Sequence, residues 1–167
     1  GDLMRSVSVL KFTGGKLTEV ARDYNANWTS ALLVADDDML CAEASHNLVA
    51  LRQRDSRCLA TVADMHLGDY VSCFAFGSLA VDHSNSTDDR PRPLLFGCAS
   101  GMLGCIIPVI DRDAEKLHRL APVLVQHLSF AADLDYNAWR RFKNDAKYLD
   151  GTFTGFLDGD LLERFLD

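Results

Sequence analysis

Ser45-His46-Asn47-Leu48-Val49-Ala50 has a counterpart on either side of it, and the spacing of the three copies decides the fold. Asp2-Leu3-Met4-Arg5-Ser6-Val7 lies about 43 residues before it, close to the ~40–45-residue period of β-propeller blades. Ser100-Gly101-Met102-Leu103-Gly104-Cys105 follows about 55 residues after it, the excess being taken up by a polar insertion over residues 83–93. The sequence between the copies keeps the same grammar. Residues 31–35, 39–44 and 48–54 read as three strands, divided by Asp36-Asp37-Asp38 and Ser45-His46-Asn47. Asp and Asn suit such turns because their side chains bond nearby backbone and tolerate left-handed dihedrals. Residues 59–67 supply an outer strand to this unit.

Upstream, residues 2–12 read as one long strand, Thr13-Gly14-Gly15-Lys16 as a hairpin turn, and residues 17–22 as the returning strand. Asp23-Tyr24-Asn25-Ala26-Asn27 makes a polar crossing to the next blade. Downstream, residues 70–79, 94–99 and 102–110 form a third unit. After Pro108 the apolar period changes. Leu117, Leu120, Ala121, Leu124, Val125 and Leu128 define an amphipathic helix, with Pro122 expected to kink it or split it in two. Tyr136, Trp139 and Phe142 suggest a second helix opened by Asp133, and Asp160-Leu161-Leu162-Glu163 has capping-box spacing. The expected fold class is mainly β: a partial WD40-like β-propeller over residues 1–110, then a small C-terminal α-helical segment over residues 111–167.

The 167 residues are 48% hydrophobic and 25% charged, as in ordinary soluble domains. No apolar run approaches the ~18 residues of a membrane span, and the N-terminus lacks a secretory pattern. The chain begins in mid-strand, as if cut from something longer. A net charge of −7 argues against a strongly phosphate-seeking surface. The cysteines Cys41, Cys58, Cys73, Cys98 and Cys105 are odd in number and contain no C-x-x-C, which fits a reducing compartment, nucleus or cytosol.

Chemistry is sparse. Asp36-Asp37-Asp38 lacks the alternating spacing and distal Glu of an EF-hand loop and reads as a solvated hairpin turn. Asp158-Gly159-Asp160 reads as a turn and helix cap. The histidines share no zinc spacing, and His66 reads as a hydrogen-bonding residue across a turn. The glycine-rich stretch over residues 97–104 bridges two strands and opens no helix, so it makes no phosphate cradle. No serine stands in a nucleophile elbow, and no nucleophile, base and oxyanion hole assemble. The expectation is a protein without enzymatic activity, cofactor or metal. Trp28 and Tyr70 occupy equivalent places at the starts of successive units, where an aromatic either packs the core or lines a pocket. Arg140, Arg141, Lys143 and Lys147 read as a solvated helix face in preference to a nucleic-acid site.

Gly1-Asp2-Leu3-Met4-Arg5-Ser6-Val7, Ala21-Arg22-Asp23-Tyr24-Asn25-Ala26-Asn27-Trp28, His66-Leu67-Gly68-Asp69-Tyr70-Val71 and Gly155-Phe156-Leu157-Asp158-Gly159-Asp160-Leu161-Leu162 carry a resemblance. Together they resemble a family whose C-terminal domain is shared by damage-binding adaptors, by the large subunit of the cleavage and polyadenylation specificity factor, and by a splicing-factor 3b subunit. The opening heptad points to the damage-binding branch. The resemblance runs the whole chain, with short deletions. It implies a large adaptor of three seven-bladed propellers and a C-terminal helical domain. The middle propeller would hold the cullin scaffold of a ubiquitin ligase, and the outer two a cleft for a helix or loop of a propeller-type substrate receptor. This chain would be the last blades of the third propeller and the start of the helical domain, engaging cullin only through parts it does not contain.

By position, the resemblance implies that Trp28 matches a tryptophan of the receptor cleft. Tyr70 stands where the family has phenylalanine, keeping the aromatic wall and adding a hydroxyl. Ser72 replaces an asparagine and shortens a polar arm; Ala99 replaces a valine and leaves more room. The expected function is a non-enzymatic interaction module in DNA repair and protein turnover, nuclear and cytoplasmic. The alternatives are a nucleic-acid-associated subunit of an mRNA 3′-processing or splicing complex, an enzyme, and an inert truncated product.

Overall fold

The computed structural model describes residues 1–54, 57–79, 92–109, 111–142 and 155–166. The first sheet is the hairpin β1 (Ser8–Thr13) and β2 (Lys16–Arg22). The second is a four-stranded meander of β3 (Thr29–Ala35), β4 (Asp38–Glu43), β5 (Asn47–Gln53) and β6 (Leu59–His66). The third contains β7 (Val71–Phe76), β8 (Leu94–Cys98) and β9 (Leu103–Ile106). All neighbours are antiparallel. The chain is thus mainly β, three sheets in sequence order forming part of a propeller. Helices α1 (Asp111–His127), α2 (Tyr136–Arg140) and α3 (Gly159–Glu163) follow. Among the described residues, no helix is long and apolar enough to cross a membrane.

The middle sheet is buried on both faces. Met39, Leu40, Cys41 and Ala42 of β4 are buried in succession, and side chains alternate sides along a strand. Met39 and Cys41 join Val49, Leu51 and Leu59 against Ala21 of the first sheet and Val7, just before it. On the opposite face Leu40, Ala50 and Ala63 meet Leu94, while Ala42 meets Val71, Phe96 and Cys98 of the third sheet. Each large aliphatic side chain so covered contributes ~1.5–3 kcal/mol. The third sheet is fitted with equal economy: a Cβ on Gly104 would lie 2.0 Å from the Phe96 ring, so only glycine lets that ring cross β9.

Two turns of the repeat are equivalent in the backbone. His46 (φ 68) and Gly101 (φ 93) both adopt left-handed dihedrals, and their amides donate to Glu43 (3.0 Å) and Cys98 (3.1 Å). The glycine pair of the first hairpin has φ 58 and 78, as a primed turn requires. The first copy departs from the repeat. Asp2 Oδ1 accepts the amides of Met4 (2.8 Å) and Arg5 (3.1 Å), and Ser6 turns left-handed, so residues 2–6 form a closed turn and the strand begins at Ser8. The helical region also differs from expectation. Pro122 lies inside α1 without splitting it, and α1 packs on α3. The second helix is opened by Asp135, whose carboxylate accepts from Ala138, and not by Asp133; α3 is capped by Asp158, not Asp160. Most of the 83–93 insertion, with Lys143 and Lys147, lies outside the described residues.

Burial on two faces has a chemical signature. The Cys41 thiol is pushed up to about 12 by burial and then by the Asp23 carboxylate, while Cys73 is exposed. A maleimide at about pH 8, where an unperturbed thiol is partly ionised, is expected to label Cys73 in the native protein and Cys41 only on unfolding. Equal labelling of the two would contradict the sandwiched sheet.

Candidate functional site

Antiparallel pairing brings the start of one strand beside the end of the next, so the starts of β3 and β7 share an end with the finishes of β4 and β8. The two starts are tied across sheets by Ser30 Oγ, which donates to the Val71 carbonyl (2.9 Å). Trp28 and Tyr70 stand just before these bonded residues. Trp28 is 53% exposed, although its carbonyl accepts from Ala44 (2.8 Å). Tyr70 is half-buried, and its carbonyl accepts from the amide of Ala99 (2.8 Å), which is exposed. Ser72 is exposed, but its hydroxyl donates to Gly97 of its own sheet (3.0 Å). Tyr70, Ser72 and Ala99 therefore share one corner, with Trp28 at the start of the adjoining blade.

Aspartates that the sequence reading passed over fix both aromatics. Asp23 is 1% exposed; its carboxylate accepts from Ser6 Oγ (2.6 Å), the Asn25 amide (3.1 Å), Asn25 Nδ2 (2.8 Å) and Asn27 Nδ2 (3.2 Å). The crossing that delivers Trp28 is thus folded around one buried carboxylate. In the next crossing Asp69 accepts from the Tyr70 amide (2.7 Å) and from the Ser100 hydroxyl. The serine bond, ahead of the backbone one, holds the Asp69 carboxyl below its usual range. An Asp-x-Asn-x-Asn spacing before a tryptophan was the available signal, since short amide and carboxylate side chains close local turns.

Arg140 is not on a solvated helix face. Its side chain is 11% exposed and meets Asp158, 9% exposed, through Nε (2.8 Å) and Nη2 (2.5 Å). Nη1 donates to the His66 carbonyl (2.9 Å), and the guanidinium stacks 3.9 Å from the Trp139 ring centroid. The Tyr136 hydroxyl also donates to Asp158, whose other oxygen caps α3. Burial and the Asp158 bond push the Tyr136 phenol well above its ordinary value. Of the basic stretch, the best-placed cation is spent inside the fold.

His66 makes the bond across the turn that its sequence context suggested: Nδ1 lies 2.7 Å from Asn47 Oδ1, and Asn47 Nδ2 donates to Glu43. Among the described residues no group of three or more His, Cys, Asp or Glu side chains is placed to hold a metal. A groove of about 640 Å³ beside β1 runs from Val7 and Leu32 to Asp36 and Asp37, at the far strand ends from Trp28. Its Arg52 is engaged by Asp38 through both carboxylate oxygens (2.6 and 2.7 Å).

These features define a propeller-type scaffold with an aromatic corner at one end of its blades. The family model described as the CPSF A subunit region matches residues 1–167, and the chain belongs to that family. Curated relatives covering 100% of the chain are "DNA damage-binding protein 1" of Solanum lycopersicum, 37% identical, and of Oryza sativa subsp. japonica, 34% identical. "DNA damage-binding protein 1a" of Arabidopsis thaliana is 35% identical over the same span. The chain spans 16% of the length of each of these relatives.

Burial, with His46 and Arg140 nearby, lowers the pKa of His66 below 6.5. The unfolded chain then takes up the proton first, so this contribution to stability is complete above ~6.5 and is lost as pH falls below it. The unfolding midpoint is expected to drop between about pH 7 and pH 5.5, and His66→Gln to flatten that drop. The same slope in the variant would place the titration elsewhere.

Proposed function

We propose that the chain is a non-enzymatic docking module of an adaptor like DNA damage-binding protein 1, joining substrate receptors to a cullin–RING ubiquitin ligase in DNA repair and protein turnover. Trp28 carries the reading. The residue is more than half exposed while the crossing that delivers it is fixed by Asp23 and Ala44. A large aromatic held on a rigid frame binds an inserted helix or loop with little ordering cost in the host. Tyr70 and Ala99 extend the surface as an aromatic wall with a small residue beside it, suited to a packed apolar side chain from a propeller-type receptor. Ser72, turned to Gly97, shapes the corner without offering a free polar arm.

Cullin would be engaged only through other parts of the adaptor. The relatives' names supply the damage-binding context, and a nuclear and cytoplasmic location follows from the reading. The RNA-processing alternative gains nothing from a charge of −7 or from an arginine neutralised by Asp158.

In the intact protein Trp28→Ala is expected to weaken receptor binding by about 2 kcal/mol, roughly 30-fold, with the fold retained. Unchanged affinity would overturn the proposal. A steeply salt-dependent affinity for DNA or RNA, lost in the same variant, would favour the nucleic-acid alternative.

A further inference from the structure

The connection over residues 66–70 carries Tyr70 into the docking corner, and it is gripped from two directions. From the blades, the His46 carbonyl accepts the amides of Leu67 (2.9 Å) and Gly68 (3.4 Å), and Asp69 is bonded to Ser100. From the helical segment, Arg140 bonds the His66 carbonyl, Phe142 meets the His66 ring edge-on at 5.3 Å, and the Trp139 indole lies over Gly68. Gly68 is left-handed (φ 82), and a Cβ there would lie 3.9 Å from the Trp139 ring. Arg140 reaches this position only because Asp158, beyond α2 in the chain, neutralises it in a buried pair. The same Asp158 accepts from Tyr136 and caps α3, so a single carboxylate ties the two short helices together while α2 and Phe142 cover the connection.

We infer that Arg140 and Asp158 form a latch that positions Tyr70: docking of the helical segment on residues 66–68 sets the geometry of the docking corner. Arg140 is a positioning residue for the site and does not itself contact the partner. The inference rests on the docking reading above, but the latch has a readout of its own. Removing the carboxylate leaves a buried guanidinium without its counter-charge, which loosens α2 before it disturbs sheets whose cores lie elsewhere. From Tyr70 the effect passes to Ala99, whose amide is held by the Tyr70 carbonyl.

The test is hydrogen exchange of the intact protein carrying Asp158→Asn or Arg140→Ala. The amides of Leu67, Gly68 and Ala99 are expected to exchange at least ~10-fold faster, while the Leu48 to Leu51 amides keep their protection. Tyr136→Phe, which removes one bond to Asp158 and keeps the ion pair, is expected to change these rates far less. Unchanged exchange at Leu67 and Gly68 would overturn the latch, and so would loss of protection throughout the middle sheet, which would make Arg140 a prop of the whole fold. Receptor affinity of Trp28→Ala, measured alongside, separates the two proposals. If Trp28→Ala weakens binding and the latch variants leave exchange unchanged, docking stands and the latch fails. If exchange rises as expected but Trp28→Ala binds normally, the latch stands and the docking reading fails.

Discussion

The inner strands β4 and β5 of the middle sheet have no free face, and what is attached to them is placed by that constraint. Strand β4 buries four consecutive residues because the first sheet covers one side and the third covers the other. A slip of one residue in its register would exchange Met39 and Cys41 with Leu40 and Ala42, pushing each set against the wrong neighbour. Register is therefore fixed, and with it the level at which each strand begins. The starts of β3 and β7 are held together by Ser30 and Val71 within that frame.

The aromatic corner proposed for docking is built on this frame by polar residues of the two crossings. Two crossings leave the outer edge of one sheet for the start of the next, and in each an aspartate takes the local donors. Buried hydrogen bonds to a charged acceptor are worth ~1.5–3 kcal/mol, so several converging on Asp23 hold its crossing firmly. The backbone that carries the two aromatics is held in place by these bonds, with Trp28 more than half exposed and Tyr70 half-buried. The helical segment closes the back of the second crossing through a charge pair that is stable only when both members are present.

Legibility in the sequence followed the range of the interactions. The hairpins and the three-sheet order were readable because the repeat is carried by local turn residues: His46 and Gly101 fall in equivalent left-handed positions of the repeat. Residues 2–6 misled because Asp2 captures amides ahead of it and closes a turn inside the stretch read as one long strand. Pro122 misled in the opposite direction, since α1 runs on through it as one helix, packed on α3, despite one missing donor. That Trp28 and Tyr70 stand at the starts of successive units was legible, but what fixes them there was not. Arg140 and Asp158 come together only through tertiary folding, and a basic side chain near other basic residues reads as solvated until its carboxylate is in view.

The docking claim is tested most directly by placing a photo-reactive phenylalanine derivative at position 70 of the intact, endogenously tagged protein and identifying what it captures. The expected adduct is a helix or loop of a propeller-type receptor, recovered together with cullin. An adduct to DNA or RNA, or the absence of any protein adduct from a folded bait, would contradict the reading of this corner as a receptor-docking surface.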